Sequence, residues 1–209
     1  MNNKSNINVL IAGVGGQGNL LASRLLSDAA AAKGYRITIG ETKGASQRSG
    51  SVSSHVRLSG PDFALGPLIP KGGAHVMLGF EPIEAVRMSR KYSGENTVAI
   101  VNRAPVVPML VAQGLQEYPP MDKIVAELES INDRLYMIDG TGLAGRAGDP
   151  ITLNVVMLGA LCGLDILPFG QAEFVDAITA RVPEKHRGLN LDAFGAGHEE
   201  GMRLNSAKV

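Results

Sequence analysis

The chain has 209 residues with 20 Lys and Arg against 20 Asp and Glu, so its formal net charge is zero. That balance argues against nucleic-acid binding driven by phosphate neutralisation, and the length suits one full-sized core with little left for a second domain. Hydrophobic residues make up 44% but aromatic ones only 4%, without Trp, so the core must be built from Val, Ile, Leu, Met and Ala. The single cysteine, Cys162, permits no internal disulfide and no cysteine-ligated iron–sulfur cluster from this chain alone.

The start, Met1 to Ile7, has no apolar signal core, and no run approaches the roughly twenty residues needed to span a bilayer; the expectation is a cytoplasmic protein. The apolar run Val9–Ala12 then ends in Gly13-Val-Gly15-Gly16-Gln-Gly18 and passes into Asn19–Leu26, where apolar residues recur at helical spacing. That order predicts strand, tight glycine turn, helix. Residues without a Cβ let the turn adopt positive φ and let several N–H groups face one anion at the positive end of the helix. Gly13, Gly15, Gly16, Gln17 and Gly18 are therefore the first candidate ligand contacts. In a dinucleotide site an acid about twenty residues further on grips the ribose, and Glu41, after the apolar stretch 35–40, is in range.

The polar loop 42–50 follows, with Gln47 and Arg48 as its candidates: a guanidinium fork suits carboxylate or phosphate, and an amide beside it fixes orientation. Charge favours this reading. Residues 1–72 carry Lys4, Arg24, Lys33, Arg36, Lys43, Arg48, Arg57 and Lys71 against only Asp28, Glu41 and Asp62. Residues 51–58 alternate with a period of two, Val52, Ser54, Val56 and Leu58 against Ser53, His55 and Arg57, which predicts a strand with one wet or ligand-facing side. The prolines of 61–70 make a connecting loop. Residues 74–80 and 97–102 read as buried strands and 134–139 as the last clear strand, 81–88 and 122–131 as helices, and 103–120 as irregular or briefly helical. Glu81 and Glu84 are expected as a solvated pair at a helix start, and Asp139-Gly-Thr-Gly142 as a strand end able to line the glycine-turn crevice.

Residues 151–164 are apolar nearly all round, so that helix is either the central core helix or part of a contact between subunits, self-association included. Gly159 and Gly163 would let another helix come close. Two further helices, 171–181 and 186–204, complete the chain. Strand and helix alternate, which predicts an α/β, Rossmann-like single domain over 1–209: a mostly parallel sheet with helices on both faces, the C-terminal helices from about 151 packed on it. The four histidines have no metal-site spacing, and no Ser lies in a nucleophile elbow, so neither a metal centre nor a catalytic residue is assigned.

Several segments together resemble one family. Gly13–Gly18, Gly44-Ala-Ser-Gln-Arg-Ser-Gly-Ser-Val52 with His55-Val-Arg57, Pro67–Lys71, Glu81-Pro82 and Asn102 are similar, in order, to the gamma-type subunit or domain of the 2-oxoacid:ferredoxin oxidoreductases, most of all to its indolepyruvate branch. Ser49 stands where that family often has glycine, and Thr42-Lys43 is not its commonest wording. The resemblance implies oxidative decarboxylation of an arylpyruvate to an aryl-acetyl-coenzyme A. Thiamine diphosphate, Mg²⁺ and 4Fe-4S clusters would lie on a larger partner subunit and ferredoxin would take the electrons. This chain would be inactive alone and would help to receive the coenzyme A phosphates. Two alternatives stay open at this point: a free-standing NAD(P) oxidoreductase, and a scaffold whose turn merely packs strand on helix.

Overall fold

The computed structural model describes residues 5–44, 50–107 and 109–207. Among them, six strands form one sheet in the order β2-β3-β1-β4-β5-β6: β1 (Ile7–Val14), β2 (Arg36–Lys43), β3 (Ser51–Ser59), β4 (Ala74–Gly79), β5 (Ser93–Asn102) and β6 (Arg134–Ile138). β1 runs parallel to β4 and in register Val9 with Val76, and β5 and β6 continue in parallel. β3 alone runs against its neighbours, β2 and β1. The segment between Lys43 and Ser51 is too short for a crossover, which needs a dozen or more residues, so it can only turn back as a hairpin. This departs from the simplest parallel expectation and moves β2 one strand away from β1.

The helices are α1 (Asn19–Ala32), α2 (Pro82–Tyr92), α3 (Met109–Ala112), α4 (Met121–Ile131), α5 (Gly140–Arg146), α6 (Leu153–Gly163), α7 (Gln171–Arg181) and α8 (Glu184–Ser206), with a 3₁₀ turn at Pro150–Thr152. β1 shows how they are sorted. Val9 and Ile11 join the core under α1, α6, α7 and α8, whereas Leu10 and Ala12 join the smaller one under α2 and α4. Both sets are fully buried, the signature of a central strand covered on two faces. Arg181 grips Asp28 with two hydrogen bonds, 2.6 and 2.9 Å, tying α7 to α1.

Every residue of α6 is buried. The helix that its glycines admit is α8 of the same chain, so the apolar stretch is an internal core helix. A Cβ on Gly159 would meet the Phe194 carbonyl and one on Gly163 the His198 carbonyl, while those of Gly197 and Gly201 would meet the carbonyls of Val156 and Ala160.

The face of β3 that carries Ser53, His55 and Arg57 was expected to be wet or ligand-facing. It is instead covered by the proline-rich connection that follows, and Ser53 and His55 are buried. Polar side chains hold that strap: Arg57 Nη1 donates to the carbonyls of Gly66 (2.9 Å) and Leu68 (3.0 Å), and the Ile69 N–H donates to His55 Nδ1 (3.2 Å). Gly40 lets the Pro67 carbonyl rest where a Cβ would stand. Burial, with the nearby Lys91 and Arg57 charges, lowers the His55 pKa to about 4. A proton on Nδ1 would also remove the acceptor that the strap uses.

Candidate functional site at the glycine turn

The apolar ladder of β1 ends at Val14, and the chain then needs conformations that a side chain resists: Gly16 has φ +98° and Gly18 φ +78°. The turn is tied to the hairpin by the Gly15 N–H, which donates to the Gly50 carbonyl at 3.0 Å. Gly18 is the N-cap of α1 and brings no capping side chain, and the first turn of α1 holds no acidic residue. The leading amides of the helix are therefore left to solvent or to an anion, at the end where the macrodipole is positive.

An open cleft of about 620 Å³ lies over these amides, between the head of α1 and the β2–β3 hairpin; Gly15, Gly16, Leu20, Lys43, Gly44 and Ser51 are among its walls. Lys43 is largely exposed and its partner Glu41 is 3.9 Å away, so the ammonium is weakly held and available. Uncovered amides, a positive helix end and a lysine at the rim make a seat for phosphate or carboxylate.

The predicted residues divide into two groups. Gly15 and Gly16 are exposed and face the cleft. Gly13 and Gln17 act on the protein itself, and Gly18, which also lines the cleft, is closed in on its other side by Asn154. A Cβ on Gly13 would lie 2.7 Å from Gln17 Oε1 and 3.0 Å from Asn19 Oδ1; one on Gly18 would lie 2.7 Å from Asn154 Nδ2. Gln17 Oε1 accepts from the Val14 N–H (2.9 Å), and Nε2 donates to the Phe80 carbonyl (3.0 Å). Gln47 and Arg48 lie outside the described residues; the described ends of their loop, Gly44 and Gly50, line the cleft. Sequence reasoning missed Lys43, although a cation ending the strand beside the turn was a usable signal. It also missed Asn19, which donates to the Val52 carbonyl at 3.1 Å, and Asn154, which donates to the Gly18 carbonyl at 3.3 Å from 136 residues away.

Three other expectations change. Glu81 and Glu84 are buried, not solvated. Glu81 caps α2, accepting from the Glu84 N–H at 2.8 Å, and takes the Tyr118 hydroxyl at 2.6 Å, which ties Tyr118 to the head of α2. Burial pushes the Glu81 carboxyl above its ordinary range and, with the Glu81 contact, raises Tyr118 as well. Asp139 caps α5 through the Gly142 N–H (3.0 Å) and does not reach the cleft. Glu41 ends β2, and because β3 intervenes it stands two strand spacings, roughly 10 Å, from β1, not beside it as a ribose-gripping acid would.

Among the described residues no three His, Cys, Asp or Glu side chains gather as a metal site, and no helix is long and apolar enough to cross a membrane. Cys162 is buried, and burial pushes its thiol up to about 11.

Solved oxidoreductase structures share this mixed-sheet fold. The gamma subunit of a keto/oxoacid ferredoxin oxidoreductase from Geobacter sulfurreducens superposes with a TM-score of 0.67 at 22% identity, over 96% of this chain and 98% of that one. A 2-oxoglutarate:ferredoxin oxidoreductase from Magnetococcus marinus, solved with 2-oxoglutarate, coenzyme A and succinyl-CoA bound, gives 0.71 at 18% identity, covering 96% of this chain and 32% of that longer one. In sequence, the chain is 37% identical over 196 residues to the indolepyruvate oxidoreductase subunit IorB of Archaeoglobus fulgidus (94% of this chain, 96% of the relative). It is 39% identical over 191 residues to that of Pyrococcus horikoshii (91% and 93%). The family model for pyruvate ferredoxin/flavodoxin oxidoreductase matches residues 8–200. The chain belongs to this family and is a subunit of a 2-oxoacid:ferredoxin oxidoreductase.

Proposed function

We propose that this chain is the cluster-free subunit of a cytoplasmic enzyme that converts indolepyruvate or a related arylpyruvate, with coenzyme A, into the aryl-acetyl-coenzyme A and carbon dioxide, two electrons passing to ferredoxin. The relatives' names support the substrate. The single cysteine of this chain cannot supply the four thiolates that a 4Fe-4S cluster takes, so the clusters, with thiamine diphosphate and Mg²⁺, belong to the larger partner subunit. Thiamine diphosphate supplies the carbanion chemistry there. This chain's part is binding: Gly16 and the first turn of α1 offer N–H groups, and Lys43 a charge, to the phosphates of coenzyme A, while Gly15 lines the cleft with its N–H held by the Gly50 carbonyl, and Gln47 and Arg48 in the same loop are further candidates.

The observation that carries the reading is the uncapped head of α1 facing a cleft with Lys43 at its rim. Anaerobic reconstitution with the larger subunit tests it. Turnover should require both chains, and Lys43→Ala should raise KM for coenzyme A by about tenfold while KM for indolepyruvate holds, as expected for losing one charge-assisted phosphate contact. Turnover of a 2-oxoacid by this chain alone, or an unaltered KM for coenzyme A, would overturn it.

A further inference from the structure

The end of β4 is where the sheet's connections part to opposite faces, and in open α/β sheets ligands enter the crevice at such a point. Here the protein's own amides fill it. The Phe80 N–H donates to the Ala12 carbonyl at 2.7 Å, extending the β1–β4 ladder by one residue. The Phe80 carbonyl accepts twice, from Gln17 Nε2 at 3.0 Å and from Asn102 Nδ2 at 3.1 Å. Asn102 carries the line onward: its Nδ2 is 3.1 Å from Thr141 Oγ1, and its Oδ1 accepts the Thr141 N–H at 3.1 Å. A chain of amides thus runs along the carboxyl edge from the end of β1, past β4 and β5, to the head of α5.

Its packing leaves no slack. A Cβ on Gly13 would lie 2.7 Å from Gln17 Oε1 and 3.1 Å from Phe80 Cβ, so the first glycine of the motif makes room for the plug and not for a ligand. Asn102 is wholly buried. None of Phe80, Asn102 or Thr141 lines the open cleft, which lies across the turn against the hairpin.

We propose that Gln17 and Asn102 are positioning residues: through the shared Phe80 carbonyl they close the switch-point crevice, fix the glycine turn and direct an anionic ligand to the hairpin side, excluding a dinucleotide laid across β1 and β4. The ligand's identity rests on the coenzyme reading above; the brace does not. Losing two neutral hydrogen bonds at Gln17 is worth about tenfold in an equilibrium the turn controls.

In the reconstituted enzyme, Gln17→Met should raise KM for coenzyme A about tenfold, more than any fall in kcat. Hydrogen exchange at residues 13–20 should quicken by a similar factor while β1 and β4 stay protected. Asn102 cannot touch a ligand, so a raised KM in Asn102→Asp is positioning by elimination. Because both side chains act through one carbonyl, the double variant should be within about twofold of the worse single one. Unchanged exchange in Gln17→Met, or effects that multiply in the double variant, would overturn the proposal, and the Gln17 measurements decide it even if Asn102→Asp fails to fold. Measurable NADH binding by the wild-type chain would sink the exclusion. If Lys43→Ala leaves KM for coenzyme A unchanged while Gln17→Met still loosens the turn, the coenzyme reading fails and the brace stands.

Discussion

Where α6 crosses α8, Gly159, Gly163, Gly197 and Gly201 bring two backbones together until nothing fits between them; at the head of α1, Gly16 leaves a backbone bare. Both regions use the same residue for its missing side chain. In the first the vacated space is filled by main-chain carbonyls of the partner helix, so the glycines contribute to stability. In the second, nothing lies within 4 Å of where a Gly16 Cβ would stand, and the space is open. A run of glycine is thus not one signal. What distinguishes a packing glycine from a binding one is what its Cβ would strike.

That contrast can be broken most directly at the helix crossing. Gly201→Val would drive a branched side chain into the Ala160 carbonyl and should cost about 3 kcal/mol or more, or prevent folding, as backbone overpacking does; urea denaturation measures it. A loss under about 1 kcal/mol would mean that α8 can move aside freely.

The strap over β3 offers a region closed by polar groups, and it should answer to pH. The folded His55 pKa, about 4, lies below the ordinary value of 6.5, so between these values the unfolded chain binds more protons. Stability from this group is present above about pH 6.5 and is lost as pH falls towards 4, a difference on the order of 2–3 kcal/mol. Glu81, with its raised pKa, contributes with the opposite sign as pH falls, so the measurement is the difference between wild type and His55→Leu at each pH. That difference should shrink as acid is added; a constant difference would contradict the assignment.

At the turn the effects on stability are smaller. Gly16→Ala meets no atom but must hold φ near +98°, which should cost roughly 1–2 kcal/mol by thermal unfolding, with weaker coenzyme binding besides. Lys43→Ala should change stability by under about 0.5 kcal/mol, since its ion pair is long and exposed, and yet weaken coenzyme A. If Lys43→Ala destabilised more than Gly201→Val, the division between packing and binding glycine regions would collapse.

Much of the fold was legible because local pattern carries it. Apolar runs marked β1, β4, β5 and β6, the period of two marked β3, and Ile124, Val125, Leu128 and Ile131 marked α4. What periodicity does not carry is strand order. Nothing in residues 36–59 alone says that β3 slips between β2 and β1, and that placement removes Glu41 from the turn. α5 was missed because Gly140, Gly142 and Gly145 are poor helix formers; the Asp139 cap and the burial of Ala144 hold it. At the site, the sequence placed the turn but could not separate the exposed Gly15 and Gly16 from Gly13, Gln17 and Gly18. That separation depends on Asn154 and Phe80, which meet the turn only in the folded chain. The solvated reading of Glu81 failed for a similar reason: Tyr118, its partner, lies 37 residues away.

The covering of α6 by α8 also sets an order of events during synthesis. The most apolar of the described helices leaves the ribosome before the one that shields it, whose close approach depends on Gly197 and Gly201. Until those residues have emerged, the nascent chain presents an oily rod to the cell, and a message cut short before residue 197 would yield a species fit for chaperones and proteases and unfit for assembly.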